Sequence, residues 1–257
     1  MRPLTTLAAV LGVTAISGSS PRPSPTPDPG MPFAVGERFT YAAKLGVITL
    51  GSASMSVPRL DTIRGVETYV FRFHLEGGTF FFSLNDEMLS WTSTKNLISL
   101  RFHQDFNEDG RIWKRYFEIL PDSGHFWQEE QSKPFPTPER PLDDAAFFYF
   151  IRTTPIEVGK TYQYDRYFKK EMNPVIIKVL KREEMELPGG RKVKCVVLSP
   201  VVGNDGMFAP RAEAKLWLTD DARRIPVQIR SRLSFGTVTL RLTEMQLPDL
   251  ASASTGN

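Results

Sequence analysis

At 257 residues with 41% hydrophobic content, the chain is long enough to bury a sizeable core, as one large β domain or two small ones. Its 32 basic and 29 acidic residues nearly cancel, which removes the electrostatic reason to expect a nucleic-acid partner. A single cysteine, Cys195, excludes an internal disulfide, and His74, His103 and His125 are spread too widely for a transition-metal site.

The chain opens on Met1-Arg2-Pro3, continues as an uncharged apolar run over 4–16, and reaches small residues at Ser17-Gly18-Ser19-Ser20. This layout predicts a secretory signal peptide over 1–20 and a periplasmic or secreted protein with no transmembrane span once the leader is removed. No cysteine follows the run to accept a lipid anchor. Alternating prolines from Pro21 to Pro29 predict an extended spacer over 21–30, followed by a β domain over 31–248 and a small, polar, flexible tail over 249–257.

Within the domain, short runs of β-branched and aromatic residues predict strands at 37–45, 47–57, 68–75, 79–84, 87–92, 97–106 and 111–120. Tyr69, Phe71, Phe73 and Leu75 alternate onto one face, Gly77-Gly78 reads as a turn, and Asn107-Glu108-Asp109-Gly110 reads as a hairpin rather than a calcium loop. Pro141-Leu142-Asp143-Asp144 supplies a helix cap, and Ala145-Ala146-Phe147-Phe148-Tyr149-Phe150-Ile151-Arg152 follows before Pro155 stops it. Four successive aromatics point all round this helix, so it has no wet face. It belongs inside a sheet concavity as a core plug, or across the mouth as a lid. Further strands follow at 161–168, 175–186, 192–200, 212–219, 227–233 and 237–245.

The chain also repeats itself. Pro32-Phe33-Ala34-Val35-Gly36-Glu37-Arg38-Phe39-Thr40-Tyr41 returns 123 positions later as Pro155-Ile156-Glu157-Val158-Gly159-Lys160-Thr161-Tyr162-Gln163-Tyr164. Trp91-Thr92-Ser93-Thr94-Lys95-Asn96-Leu97 is echoed by Trp217-Leu218-Thr219-Asp220-Asp221-Ala222-Arg223-Arg224. Two echoes in one order, with a single helix at the join, predict a mainly β fold. Its single, strongly curved antiparallel sheet, a half-barrel or incomplete barrel, is built from two similar halves. Only the second copy carries the Asp-Asp-x-Arg-Arg turn, so specificity is expected in that asymmetry.

Candidate site residues are few. Phe147, Phe148, Tyr149, Phe150 and Trp217 are expected to line or cover a cavity. Asp220 is expected to close an Asx-type turn beside Asp221, with Arg223 and Arg224 either pairing with an Asp there or contacting an anionic headgroup. Pro226 implies an edge or bulge. Cys195 lies among valines and reads as core packing. No GxSxG elbow, HExxH pair or phosphate-binding glycine loop is present, so no catalytic residue, metal or cofactor is expected.

Pro32-Phe33-x-Val35-Gly36-Glu37-x-Phe39-x-Tyr41, Tyr149-x-x-Arg152-Thr153-x-Pro155-x-x-Val158-Gly159-Lys160-x-Tyr162 and the run from Trp217 to Val227 together resemble the bacterial DUF3108 family, uncharacterised envelope proteins, over most of 31–245. The resemblance implies no catalytic residues. A strand ending in Trp, an Asp turn and a Pro-containing return strand is more distantly similar to the LolA/LolB-like half-barrels. That similarity implies an apolar cavity holding lipid chains beneath helices. The expected function is therefore non-enzymatic periplasmic binding of a lipid or other apolar molecule. A structural or protein-interaction component of the envelope is the alternative, and an unrecognised hydrolase is a third reading.

Overall fold

The computed structural model describes residues 30–79, 82–204, 206–234 and 236–248. The predicted signal peptide over 1–20, nearly all of the spacer and the tail over 249–257 lie outside the described residues. In chain order the strands are β1 (Arg38–Leu45), β2 (Ile48–Ile63), β3 (Val66–Thr79), β4 (Phe82–Ser93), β5 (Ser99–Glu108), β6 (Arg111–Leu120), β7 (His125–Gln128) and β8 (Phe135–Pro136). The helix α1 (Asp144–Phe150) follows, and then β9 (Thr161–Tyr164), β10 (Val175–Glu186), β11 (Lys192–Val201), β12 (Lys215–Thr219), β13 (Pro226–Leu233) and β14 (Gly236–Gln246). All fourteen join one antiparallel sheet in the order β8-β7-β6-β5-β4-β3-β2-β1-β14-β13-β12-β11-β10-β9.

That order is two meanders joined at their outer strands, β1 to β14. The repeat in the sequence is a repeat of hydrogen bonds. In the first copy Gly36 N donates to Val57 O at 2.8 Å and Val57 N to Glu37 O at 2.9 Å. In the second, Gly159 N donates to Val179 O at 2.8 Å and Val179 N to Lys160 O at 2.9 Å. Both glycines take positive φ, +92° and +86°, which a side chain would resist.

The tryptophan echo is equally deep. The ladder slips by a bulge just after Trp91 and just after Trp217. Each indole N–H donates to a carboxylate two strands earlier, Asp61 or Glu183, and each carboxylate is salt-bridged to the cation two residues before it, Arg59 or Lys181. Strands β1–β6 therefore correspond to β9–β14.

A symmetric barrel would pair β6 with β9. Instead the link carries β7, β8 and α1, and the sheet stays open between β8 and β9. Both edges are short, four residues and two, which limits pairing with other chains. The gap is laced by a parallel bridge between Leu142 and Tyr167 and by the Thr137 hydroxyl donating to Phe168 O at 2.8 Å.

The helix fills the concavity. Asp143 caps it, accepting Ala146 N at 2.8 Å, and Ala145 to Phe150 are all buried. Tyr149 stacks on Phe71 with centroids 3.9 Å apart, and Phe148 stacks on Phe73 at 5.2 Å. The period-two aromatic face of β3 thus receives the helix directly.

One predicted turn is not a turn. Gly77-Gly78 lies inside β3, and Gly77 pairs with Gly51 of β2. A Cβ on Gly51 would meet Glu76 O at 2.0 Å and Gly77 Cα at 2.4 Å. These glycines serve close backbone approach, not chain reversal. Cys195 is a buried free thiol within β11, and burial pushes it up to about 11.

Candidate functional site

A cleft of about 500 Å³ opens on the concave face between α1 and β3, β4 and β5. Phe73 and Leu75 of β3, Met88 of β4, Phe106 of β5, and Phe147 and Phe148 of α1 form one wall. The segment after β11, with Val202, Met207 and Phe208, closes the other. Phe208 packs edge-on against Phe147 at 5.3 Å. Register places Leu75, Asp86 and Phe106 side by side near the β3–β4 and β5–β6 turns, so the cleft opens toward that end of the sheet.

Among its polar lining side chains are Asp86, Gln104, Arg115, Asp144 and Lys169. Asp144 accepts the Tyr167 hydroxyl at 3.0 Å and Gln104 Nε2 at 3.4 Å, and burial raises its carboxyl above the ordinary range. Asp86 accepts Asn107 N at 3.1 Å, and burial pushes it up to about 6. Behind them, Asp143 accepts the Ser90 hydroxyl at 2.6 Å, and burial pushes it up to about 7.

These raised values set the sign of a pH effect. Between roughly pH 4, where an ordinary carboxyl titrates, and the raised folded-state value, the folded protein holds a proton that the unfolded chain has released. Stability therefore rises as pH falls through 7 toward 4, by at most about 1.4 kcal/mol per pH unit for Asp143 alone. Asp86 and Asp144 act with the same sign. The urea midpoint should be higher at about pH 5 than at about pH 7.5, and Asp143→Asn should shrink that difference. A midpoint that instead falls steadily on acidification in this range would contradict the assignment.

Of the residues expected from the sequence to line a cavity, Phe147 and Phe148 face the cleft. Tyr149, Phe150 and Trp217 do not. Tyr149 is sandwiched against Phe33 and Phe71, and Phe150 packs edge-on against Tyr164 with the Arg166 guanidinium 4.6 Å from its ring. Trp217 points away from the face carrying Leu216, because neighbouring residues of a strand alternate, and its indole is held by Glu183.

The Asp-Asp turn also differs from expectation. Asp221, not Asp220, closes it, with Oδ1 accepting Arg223 N and Arg224 N, each at 3.0 Å, and the Thr219 hydroxyl at 2.8 Å. Asp220 instead pairs with Arg182 at 2.7 Å. Arg223 donates to Pro248 O at 3.0 Å, and Arg224 donates to the carbonyls of Arg152 and Thr154. Neither arginine pairs with an aspartate there. Pro226 does sit at a bulge, opposite Leu218, and its carbonyl accepts the Tyr41 hydroxyl at 3.0 Å.

A family model for DUF3108, described as a protein of unknown function, matches residues 40–243. The chain belongs to the DUF3108 family. A β-barrel-like protein of the DUF1849 domain family from Brucella abortus is similar in fold, with a TM-score of 0.50 at 11% identity over 84% of this chain and 99% of its own. The hypothetical protein CT021 from Chlamydia trachomatis aligns over 86% of this chain and 90% of its own, at 10% identity and a TM-score of 0.37. No curated protein matches.

In this DUF3108 protein the segments singled out in the sequence meet at the end of the sheet opposite the cleft opening. Arg152, just beyond α1, forms a bidentate pair with Glu37 at 2.6 and 3.0 Å, with both side chains fully buried. Its guanidinium also donates to Pro32 O at 2.8 Å and Arg223 O at 2.9 Å, and lies 5.3 Å from the Phe33 ring. The helix end is thereby clamped to the leading turn of the first half and to the Asp-Asp turn of the second. A shallow groove of about 430 Å³ beside the clamp is lined by Arg152, Asp220, Asp221 and Arg224. Sequence reasoning missed the clamp. Its signal was an acid set among Phe33, Phe39 and Tyr41, and a lone cation ending an apolar helix.

Proposed function

We propose that this DUF3108 protein is a non-enzymatic periplasmic protein that holds a lipid or other apolar molecule in the cleft between α1 and β3–β5. The observation that carries the reading is the cleft itself. Its volume lies in the range of ligand sites, and its walls are mainly aromatic, Leu, Val and Met side chains with a minority of polar groups. Met88, Met172 and Met207 give those walls an adaptable surface suited to flexible chains. The leader read over 1–20 supports export. Among the described residues, no helix is long and apolar enough to cross a membrane.

The test is native mass spectrometry of the protein recovered from its own cell envelope, followed by titration with a fluorescent fatty acid. The expected result is a chain shortened by its leader and carrying one non-covalent adduct of lipid mass. Saturable probe binding should be weakened at least tenfold by Met207→Glu, because a half-buried lining residue becomes a carboxylate inside an apolar wall. Protein that carries no adduct and binds no probe would overturn the reading. Stoichiometric recovery of a protein partner under those conditions would favour the envelope-scaffold alternative.

A further inference from the structure

The cations of β5 and β6 divide by face. On the convex side Lys114 pairs with Asp105 at 2.6 Å, and Arg101 pairs with Glu118. On the concave side, one residue further along β6, Arg115 stands opposite Gln104, lines the cleft and has no acidic partner among the described residues. Arg115 and Phe117 share a strand face two residues apart, about 7 Å. The Lys169 ammonium lies 5.6 Å from the Phe117 ring and 5.5 Å from the Phe168 ring, and like Arg115 it lines the cleft. Among the described residues its ammonium makes no ion pair or hydrogen bond, although its charge acts on the Asp144 carboxyl and offsets part of the effect of burial there.

The acids of the same cleft are differently placed. Both oxygens of Asp144 already accept hydrogen bonds, from Tyr167 and from Gln104, and one oxygen of Asp86 accepts Asn107 N. The fold thus satisfies most of the carboxylate acceptors and leaves the guanidinium and ammonium donors unused. A guanidinium offers five N–H donors and an ammonium three. Unspent donors beside an apolar wall suit a ligand with a chain at one end and an anionic oxygen group at the other.

We propose that the cleft takes an anionic amphiphile, with its aliphatic chain against Phe73, Phe106, Phe147 and Phe148 and its carboxylate or phosphate head on Arg115 and Lys169. This rests on the reading that the cleft holds an apolar ligand, and adds the charge of the head. The head could belong to a fatty carboxylate or to a phosphate-bearing lipid, since both present the same anionic oxygens.

The full mature chain should be titrated calorimetrically, below micelle formation, with dodecanoate, dodecyl phosphate, dodecanol and dodecyltrimethylammonium. Dodecanoate or dodecyl phosphate should bind at least about tenfold more tightly than dodecanol, as charge-assisted hydrogen bonds imply. The stronger of the two anions identifies the source of the head. The double variant Arg115→Gln/Lys169→Gln should lose that advantage while keeping its affinity for dodecanol. Dodecanol binding as tightly as both anions, or a variant that keeps the preference, would overturn the anionic-head proposal and leave apolar binding standing. Failure of all four probes to bind would overturn apolar binding as well.

Discussion

Glu37→Gln should cost about 3–5 kcal/mol of folding stability, the largest effect of any single polar substitution in the described residues, because it strands the fully buried Arg152 charge. Arg152→Met should cost less, with a pH dependence that Glu37→Gln lacks. A carboxyl left alone in an apolar site can neutralise itself by taking up a proton, whereas a guanidinium cannot shed one. Acidification from about pH 7 to about pH 5 should therefore relieve Arg152→Met and leave the Glu37→Gln deficit unchanged, on top of the background shared with the parent. Replacing both by Met should not restore full stability. Arg152 also satisfies the carbonyls of Pro32 and Arg223, which would lose a donor. Urea midpoints of the parent, Glu37→Gln, Arg152→Met and the double Met variant at both pH values check these expectations. Equal losses for the two single variants at both pH values would show that the pair is not desolvated.

Gly51→Ala should be the most damaging glycine substitution, at about 3 kcal/mol or more. Its new methyl would sit 2.0 Å from one backbone oxygen and 2.4 Å from a backbone Cα of β3, and neither can swing aside like the end of a side chain. Relief requires β2 and β3 to separate where they are otherwise continuously paired. Gly65→Ala provides the control. Gly65 has φ +79° at the β2–β3 turn with open space around it, so it carries only the left-handed backbone penalty of about 1–2 kcal/mol. Thermal and urea unfolding should rank Gly51→Ala well below Gly65→Ala. The reverse order would mean that the two strands are not in this register.

The strands were legible because alternation and turn chemistry act locally. Tyr69, Phe71, Phe73 and Leu75 mark a face whichever partner covers them, and Asp109-Gly110 turns the chain with φ of +53° and +76° without outside help. Gly77-Gly78 misled because its reason lies across the ladder in Gly51, 26 residues earlier. Strands β7 and β8 are too short and too proline-flanked to carry a period. The duplication was readable, but the place where its copies join was not, since nothing in either repeat says that β1 pairs with β14.

The site was half legible for a similar reason. Four rings in succession show that α1 is buried on all sides, yet only the tertiary arrangement decides that Phe147 and Phe148 face a cleft while Tyr149 and Phe150 face packed side chains. Trp217 looked like a cavity residue because it is large and apolar, but its partner is an acid two strands away. Lys169 and Arg115 gave no sign, being 54 positions apart and ordinary in their neighbourhoods.

The seam between β1 and β14 has a consequence for how the molecule comes into being. Thr243 donates its hydroxyl to Thr40 O across 203 residues, and every ladder bond between those two strands spans a comparable distance. The sheet is therefore completed in its middle by its last strand in chain order, after the strands of both outer edges have been made. Until β14 emerges, β1 presents an unpaired margin eight residues long, far longer than either edge of the finished sheet. The nascent chain is most open to wrong pairing at the position that later becomes most enclosed.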